Sequence, residues 1–104
     1  MNETEFDAAA EATLDALERA LDAAEVDFER KPGGVLELEF DDGAKIIVNR
    51  HGAAREIWVA ARSGGFHYRW DGAAWRDTRS GTELFSALSE LVSLQLGRRL
   101  RLVG

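Results

Sequence analysis

The chain has 104 residues, enough for one domain with a single core but not for a core plus a deep, thick-walled substrate cavity. It contains no cysteine, which excludes disulfides, thiolate metal sites and a cysteine nucleophile, and its 45% hydrophobic and 31% charged residues are those of a folding chain rather than a disordered one. The net charge of −6 is split unevenly, with −11 on residues 1–42 and +5 on residues 43–104, so the acidic half repels nucleic acid and anionic lipid and attracts cations and basic protein surfaces.

A single domain over 1–104 is expected. The opening Met-Asn-Glu-Thr-Glu lacks the basic and apolar regions of a secretion signal. No apolar run approaches the ~20 residues of a membrane span. The expected location is the cytoplasm.

Residues 3–24 read as an amphipathic helix, because Phe6, Ala10, Leu14, Leu17, Leu21 and Ala24 recur at steps of 3 and 4. Asn2 or Thr4 can cap its start. Val26 to Arg30 alternates apolar and charged and predicts a strand; Lys31-Pro32-Gly33-Gly34 is a turn. Leu36, Leu38 and Phe40 alternate with Glu37 and Glu39 in a second strand, Asp41-Asp42-Gly43 marks a hairpin, and Lys45–Asn49 is a third strand followed by a loop to Arg55. In the fourth strand Ile57, Val59 and Ala61 share one face, and Glu56, Trp58, Ala60 and Arg62 the other. After Ser63-Gly64-Gly65, Phe66, Tyr68 and Trp70 oppose His67 and Arg69, and Asp71-Gly72 leads to a short strand around Trp75. Trp70 and Trp75 are expected in the core or over an edge. Ser80-Gly81-Thr82-Glu83 matches a capping box, and the helix it opens carries Leu84, Leu88, Leu91, Val92 and Leu96 on one side. Gly97 stops it, with Arg98 and Arg99 near its negative end, and Leu100–Val103 is expected to lie over the core. These elements predict an α+β fold, a two-layer sandwich with both helices on one face of an antiparallel sheet of five or six strands.

Opposite the first helix's apolar stripe lie Asp7, Glu11, Asp15, Glu18, Asp22 and Glu25, whose steps of 4, 4, 3, 4 and 3 place them on one helical face; Asp27 and Glu29 continue the series on the next strand. Only Arg19 and Arg30 offer opposite charge nearby. A charge run of this kind is commonly just a solvated face, and acids on an edge strand also guard against edge-to-edge pairing. Like-charge neighbours at these spacings nevertheless cost roughly 0.2–0.5 kcal/mol each. Asp22 and Glu25 further oppose the helix dipole. On this reading, replacing Glu18, Asp22 and Glu25 by Lys stabilises the chain at low salt. Carboxylates suit hard cations, and a convex ridge gives each ion one or two of them, so weak, multiple and poorly selective sites are expected.

Other chemistry is thinly represented. His51 and His67 lack the paired spacing of a closed metal site, and neither a Ser-His-Asp arrangement nor a phosphate or dinucleotide fingerprint is present. Trp58 falls on the wet face of the sheet, either as an interface hot spot or as cover for neighbouring side chains.

The run Gly43-Ala44-Lys45-Ile46-Ile47-Val48-Asn49-Arg50, then Ile57-Trp58-Val59-Ala60, Gly64-Gly65-Phe66-His67-Tyr68, Trp75 and Ser80-Gly81, together with the opening Met-Asn-Glu-Thr-Glu-Phe, resembles the frataxin family in its bacterial branch over essentially the whole chain. The resemblance implies the sandwich just described. It also implies weak Fe²⁺/Fe³⁺ binding on the ridge, here at Glu11, Asp15, Glu18, Asp22, Glu25, Asp27 and Glu29, with other divalent cations able to substitute. It further implies docking on a cysteine desulfurase and an iron–sulfur scaffold protein, with Glu18, Asp22, Asn49 and Trp58 as partner-binding residues, in a monomer open to iron-dependent oligomerisation. The chain departs from the family pattern at His51 and Ala53, where Gln and Pro are usual, and at Glu56, where Gln is usual. A pure interaction module with incidental iron binding is the alternative. Ferroxidase catalysis is the weakest reading, since no buried Glu-x-x-His di-iron pair exists.

Overall fold

The apolar stripe of the N-terminal segment winds into helix α1, Glu3–Ala23, in a computed structural model that describes all residues from Met1 to Gly104. Of the two candidate caps, Asn2 is the one used. Its side chain accepts the Glu5 N–H and the Glu5 carboxylate accepts the Asn2 N–H, both at 2.8 Å, a reciprocal capping box. Phe6, Ala10, Leu14, Leu17, Ala20 and Leu21 are buried on its inner face.

The end of α1 differs from the expected continuation to Ala24 and on through Glu25. The Glu25 N–H bonds the Asp22 carbonyl at 3.1 Å and the Val26 N–H reaches back to the Leu21 carbonyl at 3.0 Å, while Glu25 itself lies at φ 58°. This is a Schellman closure, with buried Leu21 and Val26 at its two ends. Glu25 therefore stands in a left-handed position that favours glycine, and it leaves the helical ridge for the turn below it.

Six strands follow: β1 Phe28–Lys31, β2 Val35–Glu39, β3 Lys45–His51, β4 Glu56–Ala61, β5 Gly64–Trp70 and β6 Trp75–Asp77. Each pairs antiparallel with the next, so spatial order equals chain order. β1 starts at Phe28, later than the alternation from Val26 suggests, and β3 runs two residues past Asn49 to His51. Register places Asn49 opposite Trp58, Trp58 opposite His67, and Glu56 between His51 and Arg69. Alternation puts Leu36, Leu38, Ile46, Val48, Ile57, Val59 and Tyr68 on the face covered by the helices. Trp75 joins them. Its ring meets Phe6 edge-on at 5.9 Å and its Nε1–H donates to Thr13 Oγ1 at 2.8 Å. Trp70 packs on Trp75 from the edge, at 5.4 Å.

Helix α2, Leu84–Leu96, does not start from the Ser80 capping box. Asp77 accepts the Arg79 and Ser80 N–H groups and its own N–H bonds the Thr82 carbonyl, so Ser80 is held in a turn, and the chain runs on through Gly81 to an extended Glu83 before the helix begins. Glu83 is the cap instead, with its own carboxylate accepting from Phe85 and Ser86. Leu84, Leu88 and Val92 are buried, whereas Leu96 lies outside the core, so the inner stripe is narrower than the leucine pattern implies. Gly97, at φ 70°, ends the helix as expected. The tail then lies across α2: Ser93 Oγ pairs with both the N–H and the carbonyl of Leu100, Ser89 Oγ accepts the Leu102 N–H, and Leu102 is buried.

The left-handed Glu25 yields a direct expectation. Glu25→Gly raises the unfolding free energy by about 0.5–1 kcal/mol, because the native conformation carries a side-chain penalty of roughly 1–2 kcal/mol that exceeds the extra chain entropy glycine brings. Urea denaturation monitors this, and a loss of stability of that size contradicts the strain.

Candidate functional site

Two surfaces escape the core: the outer face of α1 with the turn into β1, and the open face of the sheet. On the first, the structure brings the sequence-predicted carboxylates together only in part. Arg30, reaching back from β1, donates to Glu11 at 2.7 Å, to Asp15 at 3.2 Å, and to Glu18 in a closer contact. The steps of 4 and 3 that align these three on the helix also arrange them around one guanidinium fork. Arg50 takes Asp7 at 2.8 Å. Its side chain crosses Gly34, where a Cβ would fall 2.5 Å from its methylenes, so only glycine leaves that path open. Of the two arginines expected nearby, Arg30 is the one that pairs with the ridge, and Arg50 joins it from β3, so Asp7, Glu11, Asp15 and Glu18 each have a guanidinium partner and half of their charge is offset.

The other four predicted acids, Asp22, Glu25, Asp27 and Glu29, are exposed and have no cation or hydrogen-bond donor on their carboxylates. Asp22 sits in the last turn of α1, which contains no basic residue to answer the dipole. No group of three or more His, Asp or Glu side chains is close enough to share one ion. The donor set suits hard cations met by one or two carboxylates and several waters.

The open face holds the second surface. Trp58 lies between two imidazoles, with His51 at 3.8 Å and 13° and His67 at 4.4 Å and 8° between ring planes. His51 is held in plane by its Nδ1, which accepts the Ala54 N–H at 3.3 Å. The indole Nε1–H donates to Glu56 Oε1 at 2.8 Å, and Arg69 donates to Glu56 Oε2 at 2.6 Å. Burial pushes the Glu56 carboxyl up, but the indole N–H, the Arg69 guanidinium and nearby His67 outweigh it and hold the group below the usual carboxylate range. Trp58 is therefore both half-covered and part of a surface, and the two readings of it are not exclusive. Asn49 faces it from β3. Alternation within the fourth strand already puts Glu56 on Trp58's face, whereas His51, His67 and Arg69 join the cluster only through cross-strand register. The signal was there in the alternation, since all four share the parity of Trp58's face once the strands are set in register.

Glu37, on the same open face, is covered by Lys45 and Lys31, whose ammonium groups hold its carboxyl below the ordinary value.

A family model described as a frataxin-like domain matches residues 1–98. Over 99 residues the chain is 61% identical to the iron-sulfur cluster assembly protein CyaY of Dechloromonas aromatica, covering 93% of this chain and 94% of that one. It is 52% identical over 107 residues to the protein of the same name from Cupriavidus pinatubonensis, covering 98% and 96%. Among solved structures, it superposes on a frataxin from Psychromonas ingrahamii with a TM-score of 0.91 at 28% identity, over 100% of both chains. A trimeric Saccharomyces cerevisiae frataxin complexed with ferrous iron aligns with a TM-score of 0.66 at 26% identity, over 94% of this chain and 88% of that one.

The two halves of the ridge predict opposite responses to charge reversal. Asp22→Lys stabilises by about 0.3–1 kcal/mol at low ionic strength, an effect that fades in ~1 M salt. Glu18→Lys destabilises, because it confronts Arg30 with a like charge, so the triple Lys substitution is not uniformly stabilising. Thermal unfolding at two salt concentrations distinguishes these; a stabilised Glu18→Lys contradicts the Arg30 pairing. Glu37 and Glu56 predict an acid response. Because their folded pKa values lie below the unfolded ones, their contribution is present above the unfolded carboxyl pKa of about 4.3 and is lost as pH falls through the folded values. Glu37→Gln should flatten the stability-versus-pH curve on that acid limb.

Proposed function

This chain belongs to the frataxin family, in its bacterial CyaY branch, and from that premise we propose that it serves iron–sulfur cluster assembly as an iron-binding regulator and adaptor without a catalytic step of its own. Its ridge carboxylates Glu11, Asp15, Glu18, Asp22, Glu25, Asp27 and Glu29 meet Fe²⁺ or Fe³⁺ weakly, as cargo. Glu18 and Asp22 on the ridge, and Asn49 and Trp58 on the sheet, dock on a cysteine desulfurase and its scaffold protein. The working place is the cytoplasm; no helix of the chain is long and apolar enough to cross a membrane.

The observation that carries this reading is the unpaired set Asp22, Glu25 and Asp27 at the turn from α1 into β1, continued by Glu29 on β1. Asp22 opposes the helix dipole and Glu25 occupies a glycine-like conformation. Both choices cost stability, so both support a role that stability does not explain. Ions entering here encounter no competing arginine. Ions entering among Glu11, Asp15 and Glu18 compete with Arg30.

That competition favours a second reading, in which the ridge chiefly recognises a basic protein surface and iron is incidental. Anaerobic Fe²⁺ titration of three proteins separates the two. In the parent, weak binding is expected. A variant with Asp22→Lys, Glu25→Lys and Glu29→Lys loses most of it and also binds desulfurase more weakly, with a shallower salt dependence. Arg30→Gln binds additional Fe²⁺, at a stability cost of about 1 kcal/mol. Loss of desulfurase binding with iron binding intact in the triple variant supports the second reading, and retention of both removes the ridge as the site.

A further inference from the structure

Glu56 is a buried acid on the solvent face of a sheet, a place where charge has no need to be buried. Its relative exposure is 6%, whereas Arg69 beside it has a side chain 66% exposed. The carboxylate makes two directed bonds, one to the Trp58 indole N–H and one to Arg69. Cross-strand register brings all of this about: Arg69 and His51 stand opposite Glu56, and His67 and Asn49 stand opposite Trp58. An indole on an open sheet face ordinarily swings between rotamers. Here its edge is tied by Glu56, one ring face is covered by an imidazole itself tied to Ala54, and the other by His67.

We infer that Glu56 is a positioning residue: pinned by Arg69, it locks the Trp58 indole between His51 and His67 so that the sheet presents a preformed ridge of three parallel rings to its partner. The inference rests on the docking reading given above for Asn49 and Trp58, and it adds to that reading the device that fixes the geometry. A side chain already held in its bound orientation loses little freedom on association. Glu56 need not touch the partner to matter; it acts through Trp58. The amide of a glutamine could still accept the indole proton but could not hold Arg69 by charge, so Glu56→Gln tests the hydrogen bond and the charge separately.

The experiment has two readouts on the full chain. One is solvent exchange of the Trp58 indole N–H by NMR, with the signal assigned from Trp58→Phe. The other is affinity for a purified bacterial cysteine desulfurase loaded with its scaffold protein. Glu56→Ala is expected to speed indole exchange at least about tenfold and to weaken binding about tenfold, the equivalent of about 1.4 kcal/mol. Glu56→Gln is expected to keep both within about threefold of the parent, a rescue that general destabilisation would not produce. Unchanged indole exchange in Glu56→Ala overturns the positioning role. Fast exchange with unchanged affinity shows that the indole is released without consequence and overturns its link to docking. A Trp58→Ala variant that binds as well as the parent overturns the docking reading itself and with it that link, while the indole readout still judges what holds the ring.

Discussion

One dry seam organises this molecule: the inner stripe of α1 pressed on the covered face of the sheet. Phe6, Leu14, Leu17 and Leu21 belong to the same buried cluster as Leu36, Leu38, Val48 and Ile57, and Trp75 adds a directional bond to Thr13 across it. Removing a leucine from such a seam typically costs about 2–5 kcal/mol. Because the sheet has a second face with nothing packed on it, the same alternation that builds the seam delivers a complementary set of polar residues to water. Both candidate surfaces are by-products of that geometry. The acids of α1 are what remains when its apolar residues face inward, and the Trp58 stack is what remains when Ile57, Val59 and Tyr68 do.

The two surfaces handle charge in different ways. On the ridge, Arg30 gathers three carboxylates that are still partly in water, so the pairs are easily exchanged for another cation. On the sheet, Glu56 is withdrawn from solvent and bonded on both oxygens, so its partners are fixed. A labile surface suits ions that arrive and leave. A fixed one suits recognition of shape. The sheet's outermost strands are also guarded: β1 carries Glu29 and Lys31, and β6 is three residues long, which leaves little edge for another strand to pair with.

Much of this could be read from the residues. Period-two alternation gave the strands and their faces, and period 3.6 gave the helices, because burial of one face leaves a local trace. What could not be read depended on reach or on backbone conformation. Arg30 lies twelve residues beyond Glu18, and only the turn at Glu25 brings it back over the helix. That turn was missed because glutamate gives no sign of a left-handed position. Ser80 has the right spacing for a cap, but Asp77 ties it into a turn and the helix begins only after Glu83. The ring stack needed the register of three strands at once, which pairwise alternation does not fix.

The strand order has a kinetic side. Every strand pairs with its immediate successor, so the hairpins can form one after another through short loop closures. Contacts that cannot form this way close longer loops: Arg50 with Asp7 across 43 residues, and Trp75 of β6 with Thr13 of α1 across 62. The hairpin closures are therefore the entropically cheap steps of assembly, and docking the first helix against the last strand closes one of the longest loops.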